Sequence, residues 1–185
     1  VGKIWFVDTE TGGFDSTRHS ILSLAMVEWV DGRILRTYEA FVDESPIVVT
    51  RGALGVNKID LRDVEIDWKS PRNVVSVICD MVQDSSDPRP TLGGHNVMFD
   101  KGFLLRLFAM TDTQDPFSDH TVDTMGIARF LMDGRRIPKG SCKLIDLCTY
   151  YGIPHDAHTA LGDALATARL YTCFLDEITK LEVTK

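Results

Sequence analysis

The sequence predicts an α/β fold, a mixed sheet of five strands with helices packed on it, and three observations carry that prediction. The chain opens on Ile4-Trp5-Phe6-Val7, apolar on both alternating faces, which marks a central strand buried on two sides. Two β-rich runs, 20–30 and 33–42, flank Asp31-Gly32, a strong short hairpin signal. Beyond residue 70 the pattern turns to helical stripes separated by short extended pieces, so the strands come first and the helices interleave later.

The elements follow in order. Gly12 and Gly13 end the first strand, and 46–64 reads as irregular with a short helical turn near 51–54. Pro71 opens a helix to about Val82, and 85–90 is a polar surface loop. A short strand over 91–95 leads into a helix capped by Asn96, with Phe99, Phe103 and Leu107 as its apolar stripe. A fifth strand runs into Val122, and helices follow to Met132 and from Lys143 to Tyr151. The last helix, 159–179, is expected to bury Leu161, Leu165, Ala168, Tyr171, Leu175 and Ile178.

With 185 residues, 44% hydrophobic and 25% charged, the chain fits one domain spanning 1–185. No apolar run spans a bilayer and no leader pattern precedes the first strand, so the expectation is a cytoplasmic protein without a membrane partner. Cys79, Cys142, Cys148 and Cys173 lack zinc-like spacing and suit a reducing compartment. A formal charge of −7 argues against coating nucleic acid through a broad basic face. The one basic cluster, Arg135, Arg136 and Lys139, lies between residues 134 and 140.

The chemistry lies in three local patterns. Asp8 and Glu10 in FVDTETGG leave the same face of a strand, and two hard oxygen ligands on one face suit Mg²⁺. Asp100 in GHNVMFDKGF falls in the first turn of a helix, where a carboxylate also complements the helix dipole. His158 and Asp163 in HTALGDA are five residues apart, roughly 140° around one helix, so they share a site only if His158 lies at or before the helix start. His155 makes an H-x-x-H spacing with His158, but the surrounding carboxylates favour hard ions over zinc, and His155 reads as a surface residue. His19, His95 and His120 read as structural or exposed.

Together DTETGGFD, GHNVMFD and HTALGDA resemble, in order and interval, the three motifs of the DnaQ-like DEDD 3′-to-5′ exonucleases with histidine in the third motif. ALGVNKI, VDTMGIAR and KLIDLCTYYGI are similar to further segments of that family. The resemblance implies a ribonuclease H-like fold and two divalent ions, Mg²⁺ with Mn²⁺ substituting, held by Asp8, Glu10, Asp100 and Asp163, with His158 as the base. It further implies that the 3′ end of a single strand meets Thr11, Gly12, Gly13, Phe14 and Asn96, and that nucleoside 5′-monophosphates are released. The partner is then single-stranded nucleic acid, with a DNA polymerase as a second partner if the chain works as a proofreading subunit. One departure is visible: Gly12 stands where the family often has threonine. Two alternatives remain open on sequence alone, a non-catalytic binding module of the same fold and an endonuclease of the ribonuclease H type.

Overall fold

The computed structural model describes residues 2–57, 59–63, 66–83 and 87–180. Lys58, Val64, Glu65 and 84–86 lie outside it, so the expected irregular 46–64 segment and the 85–90 loop are described only in part.

β1 (Lys3–Thr11), β2 (Ile21–Val30) and β3 (Arg33–Val42) form an antiparallel meander. Asp31 and Gly32 both take positive φ, 47° and 83°, as a two-residue type I′ hairpin requires. After α1 (Arg51–Asn57) come β4 (Trp68–Lys69), α2 (Pro71–Gln83), β5 (Thr91–Gly94), α3 (Val97–Met110), β6 (Thr121–Asp123), α4 (Thr124–Asp133), α5 (Leu144–Tyr151) and α6 (Ala160–Thr179). The sheet order is β4-β3-β2-β1-β5-β6, with β5 parallel to both β1 and β6. Among the described residues six strands are present rather than five. The additional β4 pairs two residues with the end of β3 and is too short to leave a periodic signal.

Alternation along β1 sorts the core. Trp5 and Val7 pack with Val74 and Ile78 of α2 and with Phe103 and Leu107 of α3. Ile4 and Phe6 face the other way and pack with Val27, Trp29 and the Ala160, Ala164 and Ala168 stripe of α6. That stripe differs from the expected one: Leu161, Leu165, Tyr171 and Leu175 pack only at its margin, and Ile178 is exposed. Alanines four residues apart let α6 lie close against the sheet. A larger residue at Ala164 would overpack this contact at a cost of about 1–3 kcal/mol and displace its neighbour Asp163. Leu170 and Phe174 bury a second face of α6 against Leu131 of α4 and Leu147 of α5.

Candidate active site

β5 pairs with β1 only through Ile4, Trp5 and Phe6, so the last residues of β1 overhang it. At this overhang the strand's alternation determines which helix each side chain meets. Asp8 and Glu10 continue the Ile4–Phe6 face toward α6, and Asp163 sits in the first turn of that helix. Carboxylate oxygens of Asp8, Glu10 and Asp163 lie within 4.8 Å of one another. Thr9 points to the opposite face, where α3 delivers Asp100. The Thr9 N–H (2.9 Å) and its hydroxyl (2.7 Å) both donate to Asp100 Oδ1. The backbone donor that β5 leaves unpaired is thus satisfied by the second-motif carboxylate.

The electrostatics of the cluster are unfavourable as it stands. Burial raises the Asp8 carboxyl well above the usual range, with Asp100, Asp163 and Glu10 adding to the shift. Glu10 is pushed up to about 7 by burial and then by Asp163. Asp100 also rises to about 7, because burial outweighs the two Thr9 hydrogen bonds that favour its ionised form. Three converging oxygen donors that repel one another fit a hard divalent cation, which would hold them all ionised.

The third motif is built around a helix start. Thr159 caps α6 by accepting from the Gly162 N–H at 3.1 Å, and its own hydroxyl donates to the Asp156 carbonyl at 3.0 Å. His158, just before the cap, is exposed and takes a left-handed φ of 67°. It lies outside the helix while Asp163 lies inside it. His155 departs from the expected surface position: its side chain is only 8% exposed, and its Nε2 contacts Asp163 Oδ1. Its contact with Asp163 in the first turn of α6 is a tertiary relationship that H-x-x-H spacing does not reveal.

The expected substrate contacts divide. Phe14 is 94% exposed, not packed under the turn, and borders a cleft of about 400 Å³ that also touches Glu10, Gly13 and Phe99. Asn96 is exposed and left-handed; its side chain makes no cap bond, and its N–H donates to Asp123 Oδ1. Thr11 and Gly12 are committed internally. The Thr11 hydroxyl donates to the Gly13 carbonyl, and the Gly12 N–H and carbonyl pair with Ser20 and Thr50. A Cβ on Gly12 would stand 2.1 Å from the Val48 carbonyl oxygen, so the threonine common in the family has no room here.

Sequence reasoning missed the far wall of the cleft, formed by Gly52, Ala53, Val56 and Asn57 of α1. Asn57 ties that helix to β1 by donating to the Thr11 carbonyl at 3.3 Å. A usable signal was the ALGVN run, helical in pattern yet placed in an irregular segment. His95 is also more than a bystander. Burial lowers its pKa, and a neutral ring can donate from Nε2 to the Cys142 carbonyl (2.8 Å) while Nδ1 accepts from Thr124 (2.9 Å).

The exonuclease family model (RNase T) matches residues 5–171 of this sequence. The chain belongs to the exonuclease family. Among relatives of this exonuclease domain, ribonuclease T of Hahella chejuensis is 30% identical, over 89% of this chain and 79% of that protein. A PolC-type DNA polymerase III of Oceanobacillus iheyensis is 29% identical over 95% of this chain but only 12% of its own length, so the chain matches a small part of the polymerase. In structure, the domain resembles E. coli exonuclease I in complex with a dT13 oligonucleotide, with a TM-score of 0.83 and 17% identity over 98% of this chain and 42% of that one. The shared fold is the ribonuclease H-like α/β architecture.

Proposed function

We propose that the protein is a metal-dependent 3′-to-5′ exonuclease acting as a single domain over 1–185, which shortens single-stranded nucleic acid, DNA in preference to RNA, and releases nucleoside 5′-monophosphates. The observation that carries this reading is the convergence of Asp8, Glu10 and Asp163 within 4.8 Å beside a cleft whose outer lip is an exposed phenylalanine. Oligonucleotide complexes of the neighbouring exonuclease I support a single strand as the ligand. PolC-type relatives support a polymerase as the setting in which such a domain can work. Four free cysteines support a reducing compartment, the cytoplasm.

Asp8, Glu10, Asp163 and Asp100 would hold divalent ions; the first three converge within 4.8 Å, and Asp100, fixed by Thr9, places its charge beside Asp8. Mg²⁺ or Mn²⁺ there supplies charge neutralisation and Lewis-acid polarisation of the scissile phosphodiester. Phe14 stacks against the terminal base, and the apolar wall of α1 limits water around it. His158, exposed at the helix entry, takes a proton on its imidazole nitrogen from the attacking water.

The test is shortening of a 5′-labelled single strand. Mg²⁺-dependent ladders that disappear in Asp8→Ala, in Asp163→Ala and in EDTA are the expected result. Undiminished trimming in either variant, or cleavage of circular strands, would overturn the reading. Parallel DNA and RNA substrates decide the preference.

A further inference from the structure

Among the described residues, the lining of the cleft that would receive a 3′ end has no lysine or arginine. The densest run of basic residues in the sequence is the connection from α4 to α5. Between Arg129 and Lys143 the sequence has five basic residues and one acid, Asp133, in a chain whose formal net charge is −7. Arg129, Arg135, Arg136, Lys139 and Lys143 are all exposed, and among the described residues none is paired with a carboxylate.

This ridge is held on a fixed base. Ile137 is buried with Leu147, Leu170 and Phe174, and the Arg136 guanidinium donates to the Glu177 carbonyl at 3.1 Å. Backbone bonds from Arg135 to the Met132 carbonyl and from Arg136 to the Leu131 carbonyl close the end of α4. Arg135 takes φ 54° there, a left-handed conformation that favours glycine, and so projects a long cationic side chain where the fold would accept none. Arg135, Arg136 and Lys139 border one groove of about 390 Å³. Phe130, at the end of α4, is 74% exposed.

The ridge runs from the Glu177 end of α6, roughly 21 Å along that helix from Asp163, toward the second motif. Its far end is fixed by the Cys142 carbonyl, which accepts from His95 Nε2, and the next residue, Asn96, opens the helix that carries Asp100. Cations with no acid between Arg135 and Lys143 attract a polyanion, and the exposed Phe130 beside them offers any base a stacking face.

We propose that the α4–α5 ridge is a second nucleic-acid contact, in which Arg135, Arg136 and Lys139 hold the phosphodiester backbone of the strand's body on the 5′ side of the terminal nucleotide. This rests on reading the Glu10 cleft as the seat of the 3′ end. The ridge makes the exonuclease sensitive to strand length, whereas the cleft alone handles a dinucleotide.

The test compares wild type with R135Q/R136Q/K139Q on a dinucleotide and on a 20-nucleotide single strand, with binding of the 20-mer in EDTA measured by fluorescence anisotropy from 50 to 300 mM salt. The expected result is dinucleotide turnover within twofold of wild type, together with a 20-mer Kd raised about tenfold or more and a log Kd against log salt slope lowered by about two. Unchanged 20-mer affinity and slope would overturn the proposal and leave the ridge to an acidic protein partner. A wild type that trims nothing, yet loses 20-mer binding in the variant, would sink the nuclease reading and keep the ridge. R135Q/K139Q spares the Arg136–Glu177 bond and serves if the triple variant does not fold.

Discussion

His155 Nε2 contacts Asp163 Oδ1 from a buried position, whereas His158, three residues on, has a left-handed backbone and an exposed ring. The two histidines of one short turn therefore have different surroundings, and the proposed reaction gives them separate tasks. His155 contacts a carboxylate of the cluster, and His158 faces solvent.

Removing each histidine should separate those tasks. His158→Ala is expected to lower kcat by about 10²–10⁴-fold with Mg²⁺ affinity unchanged. His155→Ala should weaken Mg²⁺ binding by about 10–100-fold, because the Asp163 carboxylate loses the group that orients it. Isothermal titration with Mg²⁺ reads the difference, and partial recovery of affinity in His155→Asn would show that the lost hydrogen bond is responsible.

The raised carboxyls set a pH dependence. Glu10 and Asp100 titrate near 7 in the folded chain, above their unfolded values, and Asp8 is raised with them. Their protonation favours the fold, so this contribution is complete below the usual carboxylate range and is lost as pH rises through about 7. In EDTA the melting temperature should fall from pH 5 to pH 8. Asp8→Asn should raise it at pH 8 by about 3–6 °C, and Mg²⁺ should restore the wild type but not the variant.

Restoring the family's threonine at residue 12 should harm the protein. A Cβ there meets the Val48 carbonyl oxygen at 2.1 Å, and the Thr50 N–H to Gly12 carbonyl bond (2.7 Å) fixes the two segments together. Gly12→Thr is expected to cost about 1–3 kcal/mol, read by urea denaturation, with loss of trimming rather than gain.

Phe14 offers the opposite case. Its ring touches Phe99 only edge-on, with centroids 6.4 Å apart, and it supports little of the core. Phe14→Ala should leave the melting temperature within a degree or two while raising KM for a single strand by about tenfold or more, the loss of one stacked base. A large stability loss without a KM change would return Phe14 to a packing role.

Much of this was legible in the residues. The apolar run through Val7, the Asp31-Gly32 hairpin and the Thr159 helix entry all leave local signals, because turn and cap geometry depends on residues a few positions apart. The carboxylates were found through motif resemblance, while their spacing alone allowed only a strand pair and a helix acid. The α1 wall left only the ALGVN run, and the burial of His155 and the closure around Gly12 left no such trace, since each depends on a segment distant in the chain.

The sequence by itself determined the family, the order of the longer elements and which acids face which way along β1, because a period of two and a helical turn are properties of the local chain. Only the tertiary structure decided that Asp163 joins Asp8 and Glu10 while Asp100 is held by Thr9. That division follows from the sheet's two faces: α6, lined with alanine, closes on one and α3 on the other, so one strand end presents alternate residues to two different helices.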